Sequence, residues 1–451
     1  MNLFNNLVLK FEQADWSKNP ELGLIDTILE KNPEIIKLMK NDIVGKEKES
    51  IFGRKDVPTV EQIVRAAIFK EMRGLDYREL EYAQSDSRIC ANFIKLDERK
   101  PFCFQMFQKY ISKINKETLK KTLVLINKIA IEEGFETLQK VSQDTTTVKS
   151  NIHHPTNNSL VWDCIRKSKR LMEQLKEEIR TLNFINYTKS AKRTYYKINV
   201  TKGTDKRHDL FCKQLILFTK VINQTSNAIK KKSTSLKSTL IKIELRKLLE
   251  LMNQVYDIAY RKEINGENVP NDAKLFSIFE LHTDIIVKGQ REVTFGHKVS
   301  IATGVNLIVD CSVEKGNPSD VKLFPKILDR IIDNYEIIPR DSATDGGYAS
   351  KENLDYAKNK GIVNIVFNKV VGSMQNIVSS LNIETRLKKW RSTIEAVISN
   401  LKRGFNISKC NWKGWEHFQS KVLWSAIAYN FRVLTALVLQ ELKVGLKCNN
   451  I

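Results

Sequence analysis

Three charged residues recur at helical spacing near the carboxyl end of the chain. Arg391, Glu395 and Lys402 are separated by one helical turn and then by two, so a helix over 390–403 places them in one row beside an apolar stripe. One acid between two bases is most often a surface ion pair. Alternatively, Glu395 binds a metal ion while Arg391 and Lys402 bind phosphate. This helix alone leaves both interpretations open.

Two further acids lie beside predicted strands. Asp144 falls in a β-rich stretch between residues 134 and 149, and three threonines follow it. Asp345 follows a short strand and begins the turn Asp345-Gly346-Gly347-Tyr348. Each acid by itself is more often a turn or cap residue than a functional one. However, Asp345 lies at the carboxyl end of its strand, where open α/β sheets place their sites.

The order of predicted elements indicates an α/β fold. A strand carries Asp144, and a long helical segment separates it from a hairpin, a helix, the strand before Asp345, a helix, a strand and the helix over 390–403. This is the order of a ribonuclease H-like core, a mixed five-stranded sheet with flanking helices and a large all-helical insertion after the first strand. The predicted boundaries are 1–130 for a helical N-terminal domain, 131–160 and 281–425 for the two parts of the core, 161–280 for the insertion and 426–451 for a C-terminal helix.

A strong positive charge indicates a polyanionic partner. The 451 residues carry a net charge of +22, which favours nucleic acid. Residues 161–250 alone hold 22 lysines and arginines against 8 aspartates and glutamates. Tyrosines are interleaved with these bases, as in surfaces that contact phosphate and stack on bases. The alternative is the solvated face of a helical bundle. The N-terminal helices allow two interpretations as well: they bind DNA ends, or they form a helical bundle without that function.

Other classes of protein find less support. Seven scattered cysteines without a Cys-x-x-Cys pair fit reduced thiols and form no zinc signature, although a catalytic cysteine stays open. His153 and His154 are neighbours without a nearby third ligand, so we expect them to face solvent or DNA. The apolar run 422–439 is interrupted by Asn430 and Arg432, which predicts a buried or interface helix rather than a membrane span. We expect a cytoplasmic protein, associated with the nucleoid when bound to DNA.

Several motifs taken together resemble those of the DDE transposases of bacterial insertion sequences. These are Asp144-Thr145-Thr146, Asp345-Gly346-Gly347-Tyr348 and the spacing of Arg391, Glu395 and Lys402. The closer resemblance is to the ISNCY-type group, through Asn151 to Thr156, Trp162-Asp163, Glu280 to Asp284, Phe295 to Lys298 and Cys410 to Glu416. Arg73 to Leu80 resembles an N-terminal domain shared by several such groups. The resemblance runs from about Thr59 to Val438.

The resemblance implies metal-dependent DNA cleavage at element ends and strand transfer into target DNA. Asp144, Asp345 and Glu395 would be catalytic and would share Mg²⁺ or Mn²⁺, with two ions expected, since three carboxylates at one sheet edge repel each other unless a cation lies among them. Arg391 and Lys402 would contact DNA phosphate. The partners would be double-stranded terminal inverted repeats and target DNA, and the active form a homodimer or larger assembly. Related transposases often have tyrosine three residues before the arginine, where this chain has Lys388.

Two other functions are compatible with the same sequence. A non-enzymatic basic DNA-binding protein would use the acids only to balance its basic helices, and its DNA binding would depend on salt but not on a metal. A ribonuclease H-like endonuclease would share the site and cut DNA without joining strands. The spacing of Arg391, Glu395 and Lys402 favours an enzyme, whereas the basic insertion fits all three functions.

Overall fold

The computed structural model describes residues 15–45, 57–96, 100–288, 292–369 and 374–448. The chain folds as two units. One unit consists of residues 1–151 together with 296–451, and the other of residues 152–295.

A mixed sheet is built mostly from the first unit, and residues 284–288 and 292–295 of the second unit also belong to its strands. Its strands are β1 (Lys140–Ser150), β2 (Asp284–Lys288), β3 (Glu292–Thr303), β4 (Ile308–Val313), β5 (Asp341–Thr344), β6 (Asn364–Phe367) and β7 (Lys409–Cys410). Five of them follow the order β4, β3, β1, β5, β6, with β1 antiparallel to β3 and parallel to β5. The predicted mixed α/β sheet is therefore confirmed, and its order is consistent with a ribonuclease H-like core.

The sheet has seven strands and not the five that were predicted. The short strand β2 joins β3, and the two-residue strand β7 pairs with Lys149 and Ser150. β1 is 11 residues long but pairs with β5 only over Lys140 to Gln143. Its carboxyl end therefore extends beyond β5, and β7 pairs with part of that exposed edge.

Close backbone contact explains the glycine that opens the paired part of β3. Gly296 lies opposite Lys149 across the β1–β3 ladder. A Cβ atom at Gly296 would lie 2.0 Å from the carbonyl oxygen of Val148. No side chain fits there without moving the strand, so glycine is required for this register.

Helices cover both faces of the sheet. The helices α12 (Asp320–Tyr335) and α13 (Lys351–Asn359) pack against Val141 and Ala302, on what we call the α12 face. On the other face, here the α15 face, α14 (Leu381–Arg391) contacts β5 and β6, and α15 (Thr393–Gly404) contacts β1. Side chains alternate along a strand, so successive residues of β1 point to these two faces in turn.

The helix predicted over 390–403 is two helices that meet at Ser392. The Ser392 amide N–H donates to the carbonyl of Lys389, three residues earlier, and the Ser392 hydroxyl donates to the same oxygen at 2.7 Å. The backbone bond spans three residues, as in a 3₁₀-helix, and therefore tightens the last turn of α14. The serine hydroxyl competes for the same carbonyl and adds to this effect. The predicted apolar stripe is retained within α15, where Ile394 and Leu401 are buried.

The N-terminal part of the first unit is helical, as predicted. Its helices are α1 (Pro20–Lys31), α2 (Glu34–Val44), α3 (Val60–Arg73), α4 (Tyr77–Asp86), α5 (Arg88–Ile94), α6 (Phe104–Ile111) and α7 (Lys116–Glu132). The predicted capping box is present, since Thr59 and Gln62 exchange hydrogen bonds at the start of α3. Gly74 ends that helix in a left-handed conformation. These helices share one hydrophobic core with α15 and with the last helix.

The last helix, α16 (Trp415–Cys448), contains the apolar run that was predicted to be buried. Among the described residues it is the one helix long and apolar enough to cross a membrane, over Trp415–Leu442. However, 72% of that window is buried inside the protein, including Trp424 and Asn430 at 0% exposure. The prediction of a buried helix is confirmed.

The second unit contains the predicted all-helical segment. Its long helices are α8 (Asn157–Glu178), α9 (Thr188–Val200), α10 (Thr204–Lys230) and α11 (Leu236–Ala259). They enclose a separate core, in which Leu175, Phe218 and Leu245 are buried. The predicted domain boundaries themselves remain predictions.

Candidate functional site

Asp144 and Asp345 lie side by side at the point where β1 continues past the carboxyl end of its parallel neighbour β5. The register pairs Gln143 of β1 with Thr344 of β5. Asp144 directly follows Gln143, and Asp345 directly follows Thr344. Each carboxylate accepts a hydrogen bond from the following amide, Asp144 from Thr145 at 2.7 Å and Asp345 from Gly346 at 2.8 Å. Asp144 is half-buried and Asp345 is exposed. Two acids that are 201 positions apart in sequence are thus brought together by strand pairing.

Glu395 is carried by the helix that covers the same face of the sheet. Asp144 lies opposite Ile301 on β3, and both belong to the α15 face. Glu395 lies in the first turn of α15 and is bonded to Arg391, with 2.5 Å between Nη2 and Oε1. Over the described ranges, no three His, Cys, Asp or Glu side chains stand close enough together to hold a metal ion. The structure therefore pairs two of the three predicted acids and places the third on a neighbouring element.

Arg391 and Glu395 form an unequal ion pair. The Arg391 side chain is 10% exposed, whereas that of Glu395 is 58% exposed. The Nε of Arg391 is buried and has no hydrogen-bond partner among the residues that the structure describes. A buried guanidinium that is only partly satisfied retains capacity for another acceptor. Lys402 is half-buried in the last turn of α15. Phosphate binding by either base remains a prediction.

The tyrosine of the Asp345-Gly346-Gly347-Tyr348 turn is buried behind the two aspartates. Tyr348 is 1% exposed, and its hydroxyl has no hydrogen-bond partner within the described part of the chain. Burial raises the pKa of Tyr348, and the negative charges of Asp320, Asp144, Asp345 and Glu314, in that order, raise it further. The Tyr348 hydroxyl is therefore neutral at physiological pH.

Asp320 and Lys298 were not selected from the sequence. Lys298 Nζ and Thr145 Oγ1 each donate to Asp320 Oδ1 at 3.1 Å. An aspartate that opens a helix is usually explained by the favourable charge at a helix N-terminus, so its position carried no special signal. The one sequence signal was indirect, since Lys298 belongs to the motif Phe295-Gly296-His297-Lys298.

Three buried cysteines, Cys90, Cys164 and Cys311, do not fit the role of a thiol nucleophile. Burial raises the pKa of Cys90 and of Cys311 to about 12, and it also raises that of Cys164. A thiol with a raised pKa carries little of the reactive thiolate at neutral pH.

The second unit exposes a basic helix with an aromatic residue. On α9, Lys189, Lys192, Arg193 and Lys197 are exposed, and Tyr196 is 66% exposed. Tyr195 stacks on Trp162 with 6.1 Å between ring centroids, which holds the helix against α8. In such a surface the lysine and arginine side chains can contact phosphates, and the exposed aromatic ring can stack on a base.

The two adjacent histidines belong to this unit too. His153 Nε2 lies 3.4 Å from the carboxylate of Asp163, and the ring of His154 packs edge-on against Phe295. The two rings thus contact different partners, as expected for neighbours in sequence.

One family of known proteins matches part of the chain, mostly within the first unit. Residues 282–431 match the family model described as the transposase DDE domain. This part of the chain is similar to transposases. The match covers about a third of the chain and includes Asp345, Arg391, Glu395 and Lys402, whereas Asp144 lies outside it. Curated proteins and solved structures gave no match.

The match to the transposase DDE domain supports a transposase function in general, with the DDE motif, DNA transposition and recombination that belong to insertion sequences. Such transposases bind DNA and generally depend on divalent metal ions. The narrower resemblance to the ISNCY-type group and a bacterial origin stay predictions.

Proposed function

We propose that the chain is a transposase that cleaves DNA at the ends of its element and joins them to target DNA, using Asp144, Asp345 and Glu395. The observation that carries the proposal is the register of β1 and β5, which puts Asp144 and Asp345 next to each other. The match to the transposase DDE domain supports the same reaction class. A surface ion pair at Glu395 alone would require no such partner acids.

The donor set fits a hard divalent cation. Asp144 on β1 and Asp345 directly after β5 offer carboxylate oxygens at adjacent positions, and Mg²⁺ and Mn²⁺ prefer oxygen ligands. We infer that Asp144, Asp345 and Glu395 would hold one or two such ions. Bound there, Mg²⁺ or Mn²⁺ would lower the pKa of a water or 3′-hydroxyl and neutralise charge on a phosphodiester. Glu395 would have to exchange its bond to Arg391 for this role.

The chain's own residues then have distinct tasks. Asp144 and Asp345 are each oriented by the backbone amide of the following residue, from which the carboxylate accepts a hydrogen bond. Arg391 neutralises Glu395 in the described conformation. Once Glu395 turns to the aspartates, the Arg391 guanidinium is left with unsatisfied N–H groups that match a phosphate of the element end. Lys402, two turns further along α15, would hold a second phosphate.

The experiment uses a plasmid in which the DNA flanking the gene on both sides encloses a marker. Purified full-length protein with Mg²⁺ is expected to release 3′-hydroxyl ends and to form joined products. Asp144→Asn, Asp345→Asn and Glu395→Gln should each lower the rate by roughly 10³-fold or more, because a unit of cooperating groups loses most of its effect with any one member. Chelation of Mg²⁺ should abolish both products, and added Mn²⁺ should restore them.

Asp333→Asn is the matched control, because Asp333 is an exposed carboxylate on α12. It should react as the parent does. Parent activity in Asp345→Asn would refute the assignment. Metal-dependent cutting without joined products would indicate the endonuclease, and salt-sensitive binding without any product would indicate the non-enzymatic DNA-binding protein.

We propose further that the reacting form holds paired element ends as a homodimer or larger assembly and acts in the cytoplasm on the nucleoid. Light scattering of the protein with end DNA should give a mass of at least two chains. A persistent monomer with both ends bound would contradict this.

A further inference from the structure

Asp320 lies between the strand that carries Asp144 and the turn that carries Asp345. Its Oδ1 accepts from the hydroxyl of Thr145, the residue after Asp144, at 3.1 Å. Its Oδ2 lies 3.2 Å from where a Cβ of Gly347 would be, two residues after Asp345. One carboxylate therefore bonds to the side chain of the residue after Asp144 and lies close to the backbone of the turn after Asp345.

Lys298 supplies the counter-charge from a third strand. Its side chain is 8% exposed, and its ammonium donates to Asp320 Oδ1 at 3.1 Å and to the carbonyl of Pro318 at 2.7 Å. Together these bonds connect β1, β3 and the loop that enters α12. A buried ammonium needs such partners, since burying it unpaired costs several kcal/mol.

The Asp320 contacts lie on the side of the sheet opposite to the proposed reaction site. Thr145 pairs with Ser300 and Thr147 with Lys298, so Thr145 and Lys298 share the α12 face. Asp144 is one residue from Thr145 and belongs to the α15 face. Any effect of Asp320 on Asp144 and Asp345 would therefore pass through the Thr145 side chain and the neighbouring backbone, and not through contact with DNA on the α15 face.

We propose that Asp320 is a positioning residue that holds the Asp144 and Asp345 carboxylates at the separation that a divalent ion requires. This inference rests on the proposed function. Its physical basis is that supporting hydrogen bonds commonly change metal affinity by about 10–100-fold, and that catalytic groups must be held to within roughly 0.5 Å. The competing interpretation is an ion pair that only stabilises the fold.

The test measures Mn²⁺ binding to the full chain by the loss of the free Mn²⁺ electron paramagnetic resonance signal, with melting temperature recorded for each variant. Asp320→Ala should weaken Mn²⁺ binding roughly tenfold. Thr145→Val, which keeps the side-chain shape and removes one hydrogen bond, should weaken it less but in the same direction. Excess Mn²⁺ should return the cleavage rate of both variants towards that of the parent.

The matched control is Asp329→Ala. Asp329 lies on the same helix and its carboxylate is also bonded, to Lys360 at 2.7 Å and to Tyr356 at 2.5 Å, and both of these bonds lead away from Thr145 and the Asp345 turn, to α13 and the residue that follows it. It should leave Mn²⁺ affinity unchanged. If Asp320→Ala fails to fold, Thr145→Val decides the question by the same measurement.

The outcomes separate the inference from the function on which it rests. If the parent binds Mn²⁺ and Asp320→Ala and Thr145→Val bind it as Asp329→Ala does, the positioning role is refuted while the transposase assignment stands. If the parent binds Mn²⁺ no better than the double variant Asp144→Asn, Asp345→Asn, the proposed metal site is refuted and the positioning role with it.

Discussion

At the scale of single residues, a buried carboxylate joins the start of β1 to the turn between β3 and β4. Glu136 is 1% exposed and accepts hydrogen bonds from the backbone amides of Thr137, Leu138, Val305, Asn306 and Leu307. It thereby connects the segment that enters β1 to the turn between β3 and β4. A Cβ at Gly304 would lie 2.7 Å from this carboxylate, so the turn has no room for a larger residue. This junction lies next to the β1–β3 ladder in which Asp144 is opposite Ile301.

Glu136→Ala should lower the free energy of unfolding by about 3 kcal/mol or more, because up to five amides lose their acceptor in a buried site. Urea denaturation of the full chain measures it. Glu133→Ala, which removes an exposed carboxylate three residues earlier, should change stability by less than about 0.5 kcal/mol. Equal effects of the two substitutions would contradict the role given to Glu136.

Tyr348→Phe should leave stability unchanged or raise it by about 1 kcal/mol, since the hydroxyl is buried and finds no partner in the described residues. Thermal unfolding of the two proteins gives the comparison. A loss greater than about 1 kcal/mol would show that the hydroxyl is hydrogen-bonded in solution, for instance through water to one of the neighbouring acids.

At the scale of elements, a buried charge network joins α3 to α16. Glu71 on α3 bonds to Lys421 on α16 and, at 2.9 Å, to Lys70 beside it, and all three are buried. The ammonium of Lys70 also lies 4.9 Å from the ring centre of Tyr77 and 5.5 Å from that of Trp412. The network fixes the N-terminal helices to the last helix, which itself packs on β4.

Lys421→Met should destabilise the chain by about 3–5 kcal/mol, because it leaves a buried carboxylate with one partner fewer. Lys116→Met is the control, since its contact with Glu416 also joins an N-terminal helix to α16 but at 3.8 Å and at the surface. That loss should stay within about 1 kcal/mol. Chemical denaturation of both variants distinguishes a buried network from a generic helix contact.

The same network predicts a loss of stability in acid. Burial raises the pKa of Glu71, but the charges of Lys421 and Lys70 lower it by more, so it lies below the ordinary value of 4.5. Burial also lowers the pKa of Lys421 despite Glu71, yet an amine remains protonated in acid, so the carboxylate decides this pH range. A lowered pKa gives stability that is complete above about pH 4.5 and is lost as pH falls through the folded value.

The difference in unfolding free energy between the parent and Glu71→Gln should therefore be constant from about pH 5 to 7 and should shrink below about pH 4.5. Denaturation at a series of pH values tests this. A difference that is independent of pH down to pH 3 would show that Glu71 does not titrate in this range.

At the scale of the whole molecule, charge and chemistry are carried by different units. The two adjacent aspartates belong to the unit of residues 1–151 and 296–451, whereas the most basic segment lies in residues 152–295. Attraction to the phosphate backbone acts over a Debye length of about 8 Å at physiological salt. Binding strength and catalysis should therefore respond to separate substitutions.

Replacing Lys189, Lys192, Arg193 and Lys197 by Gln should weaken DNA binding and reduce the slope of log affinity against log salt by up to about four, near one for each lost phosphate contact. The control replaces four exposed lysines of the helices α12 and α13, and so removes the same charge from another surface. These are Lys322, Lys326, Lys351 and Lys358. Fluorescence anisotropy at several salt concentrations compares them. If the α9 variant had the same salt slope as the parent protein, α9 would contact no phosphate.

Sequence spacing by itself determined much of this protein. The alternation of apolar residues and the turn signals predicted the strands and their order, the capping box predicted the start of α3, and the charge count located the basic segment, because each depends on residues close together in the chain. The three acids could be proposed from strand ends and a helical row, with a family resemblance to support them.

Only the tertiary structure decided which of these residues meet. Asp144 and Asp345 are adjacent through the pairing of β1 and β5, and the bonds of Asp320 to Thr145 and Lys298 join three distant segments. Likewise, at the break at Ser392 the amide and the hydroxyl both bond to the Lys389 carbonyl, which helical periodicity does not register. Such contacts are set by packing across the sheet, and packing is a property of the whole fold and not of a local pattern.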